Sequence, residues 1–308
     1  MRITQNMTSA NSLYNIQQQR ASLDKLQELT ATGNNINQPS DDPIGANTLL
    51  DIGDQLKANT QFASNITKAN TFLQMTSNAL QGMSDTMHQV TQLADTVANG
   101  INDPTTTQSI VSQLQALKQT MVDMGNTQSG DQYVFGGAKN SAPPFSVTSP
   151  YYSGDETALK VEIGQSANQQ MNIPGNQVLT GSSTSVPANT PYGTTNILDS
   201  IDKLITAVQS NDVSSAVGIT AETKNLENGV TQINNAQTDV ALRINRLSNT
   251  TSLNTNTSNT LQTIAGNIQN VDYAKMAVEL SQQQTALQAS LTTTSKVMQL
   301  SLLNYIPA

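Results

Sequence analysis

The spacing of apolar residues along the chain is dominated by helical periods. From Val271 to Ile306, alternating steps of four and three residues pick out Tyr273, Ala277, Leu280, Gln284, Leu287, Leu291, Thr294, Met298, Ser301 and Tyr305. This is the seam of a coiled coil, with polar residues at Gln284, Thr294 and Ser301. The seam widens where Val297, Leu300, Leu302, Leu303 and Ile306 crowd together, and neither Gly nor Pro interrupts the stretch. The spacing predicts one helix, roughly 50 Å long at ~1.5 Å per residue. At the other end, Ile3, Met7, Ala10, Leu13, Ile16, Leu23 and Leu26 fall on one face of a helix over residues 1–32. Neither helix can bury its apolar face on itself. Two arrangements satisfy both: pairing of the ends during assembly of subunits, or closure of an intramolecular bundle.

Between the ends the pattern predicts four more helices and one break in period. Gly33 is placed to end the first helix, Asn34 to Pro39 is turn chemistry, and Ser40 or Asp41 is expected to cap the next. A helix over 44–98 follows from Leu49, Leu56, Ala63, Ile66, Leu73 and Leu80. Met83, Met87, Val90 and Val97 then continue in a shifted phase, which predicts a stutter or bend at Gly82. A third helix covers 106–126. From 131 to 192 the chain concentrates Pro and Gly, and short apolar runs (Gln132–Phe135, Phe145–Val147, Leu159–Ile163) alternate with turns, the grammar of strands. Helix returns over 196–209. The longest seam follows: Ile219, Leu226, Val230, Ile233, Val240, Ile244, Leu247, Leu261, Ala265 and Ile268, interrupted at Asn254 and Ser258. The expected fold is mainly α: long coiled-coil-like helices in an elongated bundle with a small β-rich insertion domain. Residues 1–40 and 265–308 would form paired terminal helices, 41–130 and 195–264 a long-helix rod, and 131–194 the outward insertion.

Composition narrows the function. The 308 residues are 36% hydrophobic and only 4% aromatic, thin for a compact core and suited to narrow helical seams. Charged residues make up 12%, and a neutral polar surface lets identical copies crowd without like-charge repulsion. The net charge of −8, with no basic patch, argues against nucleic acid as a partner. With no Cys there is no disulfide and no thiol chemistry, and the lone His88, without co-ligands, reads as an ordinary helix residue. No metalloprotease, nucleophile-elbow, phosphate-loop or calcium-loop motif is present, so no catalytic residue, metal or cofactor is expected. Asp41-Asp42 and Asp155-Glu156 read as helix-start and turn residues. The first fifteen residues lack an apolar h-region, and no apolar run is long enough to span a membrane.

Three stretches resemble a known family. They are Gln19 to Leu50 (QRASLDKLQELTATGNNINQPSDDPIGANTLL), Val240 to Leu247 (VALRINRL), and the closing segment with Asp272-Tyr273-Ala274 and Leu300 to Ile306. Their order and placement are similar to those of the bacterial flagellin superfamily. Gln38 to Pro43 and the ending Leu-Asn-Tyr-Ile resemble its members at the junction of hook and filament. The resemblance implies a structural, non-enzymatic subunit. Its terminal helices pair in an inner tubular core through Ile3, Met7, Ala10, Leu13, Leu287, Leu291, Met298, Leu300 and Leu303. Arg243, Asn245 and Arg246 are expected to make polar contacts between helices or subunits. The implied partners are hook-associated protein 1, flagellin, other copies in a ring, and an export chaperone at the C-terminal region. The implied location is the extracellular flagellum, reached unfolded and without a cleaved signal. Flagellin itself shares nearly every pattern and stands as the alternative; a secreted helical effector or translocator is the remote one. Residues 1–30 and 271–308 are expected to be disordered in the isolated monomer and helical once assembled.

Overall fold

The computed structural model describes residues 5–100, 103–181, 193–214 and 218–303. Six α-helices lie among them: α1 (Gln5–Thr32), α2 (Pro43–Ala98), α3 (Pro104–Gly125), α4 (Ile197–Ser210), α5 (Ile219–Gln269) and α6 (Tyr273–Leu303). Four short strands, β1 (Gln128–Ser129), β2 (Gln132–Tyr133), β3 (Lys160–Gly164) and β4 (Ala167–Gln170), form two antiparallel pairs. The mainly α expectation holds. No helix among the described residues is long and apolar enough to cross a membrane. The chain packs as two units, one of Met1–Lys57 with Thr257–Ala308 and one of Ala58–Asn256.

The central unit holds the core. Along α2, buried positions run Ile66, Ala69, Leu73, Thr76, Leu80, Met83, Met87, Val90, Ala94 and Val97, steps of three and four without a fault. The stutter expected at Gly82 is therefore absent. Two columns of one seam had been sampled unequally, only one of them before Gly82, and that looked like a phase change. Gly82 has another role: a Cβ there would lie 2.7 Å from Met124 Sδ, so the missing side chain lets α3 come close. On α5, Ile219, Leu226, Ile233, Val240 and Leu247 are buried one heptad apart, with Val230 and Ile244 packed at the margin. The α4 face of Ile197, Ile201, Leu204 and Val208 completes the bundle against α3. Asp103 caps α3 by accepting from the Thr106 N–H at 2.9 Å, with Pro104 in the tolerant first position.

The insertion joins this core. Val134, Phe135, Phe145, Ile163, Ile173, Val178 and Leu179 belong to the same buried cluster as the helices. It contains less strand than the apolar runs suggested. Only Gln132 and Tyr133 of the first run pair as strand, and Phe145 forms a lone bridge with Tyr152. Phe135 and Phe145 turn inward, ring centroids 6.5 Å apart and edge to face, and Tyr152 meets Phe145 at 5.1 Å with the rings tilted. Polar side chains then satisfy the irregular backbone. Asn126 Oδ1 accepts from the Phe145 N–H (2.9 Å) while its Nδ2 donates to the Phe145 carbonyl (3.0 Å). Buried Gln232 of α5 accepts from the N–H groups of Gly193, Thr194 and Thr195 and donates to the Val178 and Thr195 carbonyls. Lys118 reaches the Val147 carbonyl and Asp202, with the Tyr151 ring 4.9 Å from its ammonium. Burial and the neighbouring Asp202, which accepts from the phenol, push the Tyr151 hydroxyl's pKa upward.

Candidate functional site

The terminal unit is built on a different plan. α1 packs antiparallel on α6, as the Gln283 Nε2 donation to the Gln19 carbonyl (3.2 Å) and the contacts around Gly33 and Val271 show. Among the described side chains of α1, Ser12, Ile16, Gln19, Leu23, Leu26 and Thr30 form a half-buried stripe, with Lys25 and Leu29 at its margin. On α6 the stripe is Met276, Leu280, Gln283, Leu287, Ser290 and Thr294, together with Ala286. Both run in steps of three and four, as a coiled-coil seam should. Half of each stripe is polar, and among the described side chains of the two helices only Met276 is buried.

The turn after α1 is tightly built. Gly33 sits at φ +71°, in the left-handed region that suits glycine, and a Cβ there would fall 2.5 Å from the Tyr273 hydroxyl. Asn34 bridges Asn270, the Asn35 N–H donates to the Gln269 carbonyl (2.5 Å), and the Val271 N–H donates to the Gly33 carbonyl (3.1 Å). The turn thus binds the α5–α6 connection through backbone groups. Asp41 folds the turn back on itself: one carboxylate oxygen accepts from the Asn37 and Gln38 N–H groups, and the other meets Lys25 Nζ at 3.0 Å. The Lys25 ammonium, with those backbone donors, holds Asp41 below the usual carboxylate range, and Asp41 in turn raises Lys25. The expected capping role moves by one residue. Asp42, not Ser40 or Asp41, accepts from the Ile44 and Gly45 N–H groups and caps α2. Asp272 does the same for α6 through Ala274 and Lys275.

The expected assembly residues divide into groups. Met7 and Leu13 are 59% and 57% exposed, Leu291 is 42% exposed, and Ala10 is exposed as well. Leu287 lies in the α1–α6 seam. Ile3 falls outside the described residues, as do the side chains of Met298, Leu300 and Leu303, whose backbone continues α6. The seam of α6 shares Leu280, Leu287 and Thr294 with the expected set but replaces Ala277, Gln284 and Leu291 by Met276, Gln283 and Ser290. One apolar flank of α6 therefore meets α1, and a second, carrying Tyr273 and Leu291, stays in solvent.

Arg243, Asn245 and Arg246 also separate. Arg243 is intramolecular: Nη2 and Nε grip Asp239 at 2.6 and 3.2 Å, and Nη1 donates to the Asn172 carbonyl (2.7 Å) next to β4. Asn245 and Arg246 are exposed. No cluster of three or more His, Cys, Asp or Glu side chains able to hold a metal occurs among the described residues. Spacing had missed Asn270, had assigned Tyr273 to the seam instead of the turn, and had placed Asp42 beside the cap instead of at it. The glycine after the helix and the turn chemistry of Asn34 to Pro39 pointed toward this turn but not toward its contacts.

Comparisons with known proteins agree with this layout. Residues 3–140 match the bacterial flagellin N-terminal helical region, and residues 223–306 match the bacterial flagellin C-terminal helical region. Flagellar hook-associated protein 3 of Salmonella typhimurium is 25% identical over 98% of this chain and 98% of its own length. The protein of that name from Escherichia coli is 23% identical, over 98% of each chain. Among solved structures, a Vibrio parahaemolyticus protein described as flagellar hook-associated superposes with a TM-score of 0.65 at 19% identity, covering 75% of this chain and 100% of that one. The flagellar junction protein FlgL of Legionella pneumophila gives 0.55 at 15% identity, covering 74% and 100%.

Proposed function

The chain belongs to the bacterial flagellin family, and from that premise we propose that it is a structural, non-enzymatic subunit of the flagellum that joins hook to filament. The observation that carries this is the division of apolar residues on the terminal helices. The intramolecular α1–α6 seam is half polar, while Met7, Leu13, Tyr14, Tyr273, Val278 and Leu291 face solvent. Exposed apolar side chains on both terminal helices are suited to burial by neighbouring subunits. Full-length similarity to proteins named hook-associated protein 3 supports the junction over flagellin itself.

In this reading Ile3, Met7, Ala10, Leu13, Leu287, Leu291, Met298, Leu300 and Leu303 carry axial assembly. Hook-associated protein 1 lies on one side of the ring and flagellin on the other. The chain leaves the cell unfolded by the flagellar export route, after a chaperone has held its C-terminal region. The absence of Cys is compatible with threading.

The test is assembly on hook ends. Purified full-length protein is mixed with hook-bearing basal structures, and then flagellin is added. Binding to hook ends followed by filament growth supports the junction role. Long filaments of this protein alone on filament seeds would make it a flagellin. Normal assembly by Leu291→Asp combined with Leu300→Asp would refute the terminal-seam assignment.

A further inference from the structure

The core of the central unit leaves one face of α5 and one of α2 in solvent, and the two faces differ in chemistry. On α5, Leu242, Arg246, Asn249 and Leu253 follow one another at steps of four, three and four, all exposed, with Leu242 at 64% and Leu253 at 65%. Arg246 pairs with no carboxylate among the described residues, whereas Arg243 one face away is fully engaged. A cation between two exposed leucines is the composition of an interface anchor, since Arg is enriched in such patches and its stem packs on apolar neighbours. On α2, Met75 is 40% exposed and Asp85 is exposed, held only by an amide from Gln81 and by no cation among the described residues.

We propose that these are the two halves of a lateral contact between copies of this chain, with Arg246 of one copy against Asp85 of the next and Leu253 over Met75. This rests on the proposed function, in that it names where one subunit meets its neighbour. Three features of the faces support it. The charges are complementary: in a chain of net charge −8, an unpaired Arg of one copy faces a carboxylate of another. The register fits. Within a subunit α2 and α5 run antiparallel, as the Ser84–Asn234 and Gln81–Gln237 hydrogen bonds show. Two copies sharing one orientation therefore present α5 of one antiparallel to α2 of the other. Arg246 to Leu253 spans about 10 Å and Asp85 to Met75 about 15 Å at the helical rise. With the charges opposed, Leu253 and Met75 fall within reach of a flexible thioether. The symmetry also fits. Because the patches are not the same surface, the contact is head to tail; Arg246 lies level with residue 72 of its own α2, so each step shifts by about 20 Å along the axis and the contact continues as a helix, not a two-fold dimer.

The chain has no cysteine, so single thiols report cleanly. Full-length Asp85→Cys and Arg246→Cys are mixed with a bis-maleimide whose spacer bridges the Cα separation of an Arg–Asp pair, which is longer than a direct disulfide allows, concentrated in solution and also bound to hook ends. The expected result is a mixed cross-linked pair exceeding either homodimer by about tenfold in both settings. Mixed pairs no more abundant than homodimers would overturn the proposal. A charge swap supplies the second measurement. R246D or D85R alone is expected to weaken self-association about tenfold, and the two together to restore it. No restoration would also overturn it. Both side chains are exposed, so unchanged thermal melting verifies folding. Failure of the junction reading looks different: mixed cross-links form in solution, but the wild-type protein is not retained on hook ends.

Discussion

The terminal and central units are written in the same heptad language and end in different states. In α2, ten successive seam positions from Ile66 to Val97 are buried, and nine of them are large apolar residues or Ala packed in one cluster with α3, α4, α5 and the insertion. In α1 and α6 the seam positions are half exposed and alternate with Ser, Gln and Thr. Among the described residues of the terminal unit only Ile52 and Met276 count as buried apolar side chains. The difference lies in the number of partners. A central helix is covered on several sides, whereas α1 and α6 mainly have each other. Burial free energy follows the area removed from water, so the terminal pair is held weakly and leaves apolar side chains such as Leu13, Tyr273 and Leu291 in solvent.

The widest predicted gap is in amide exchange of the dilute monomer. α1 and α6 should exchange at least roughly a thousandfold faster than the α2 segment around Leu80, about 4 kcal/mol in opening free energy. Comparable protection in both units would erase the contrast. Next comes Leu80→Ala, which empties a fully buried site and should lower the main urea transition by about 2–5 kcal/mol. A loss under ~1 kcal/mol would mean that the core is looser than its burial implies. Gly33→Ala forces a left-handed φ and a displaced Tyr273 hydroxyl; about 1–2 kcal/mol should appear as faster exchange around Val271 with the main transition unmoved. Leu287→Ala, half-exposed in its seam, should change the main transition by no more than ~0.5 kcal/mol.

The smallest effect concerns pH. Asp41 is depressed by Lys25, so its contribution to the turn is complete above the ordinary carboxylate value of 3.8 and fades as pH falls through the depressed one. Lys25 is raised, so its share is complete below 10.5 and fades as pH rises past the raised value. Protection of Asn37 and Gln38 relative to their intrinsic exchange rates should therefore fall on acidification, and Asp41→Asn should remove that dependence. An identical acid profile in the variant would exclude the pair as its cause.

The sequence by itself determined a good deal of this protein. Helix extents came out within a few residues, because periodicity, Pro and Gly report local backbone preference. Family membership was legible in the turn after α1, the Val240–Leu247 block and the closing segment. Three matters were decided only in tertiary structure. Which flank of α6 meets α1 was one: apolar spacing defines a face only to about a third of a turn, and the partner selects Ser290 over Leu291. The α2 cap was another, since Ser40, Asp41 and Asp42 are all competent acceptors and only the folded turn spends Asp41 on Lys25. The third was the insertion. Its apolar runs read as strands, yet Phe135 and Phe145 gain more by entering the helical core than by lining a pleated sheet, and Gln232 and Asn172 satisfy the backbone thereby left unpaired. Local chemistry sets what each segment can become, and long-range burial chooses among those states.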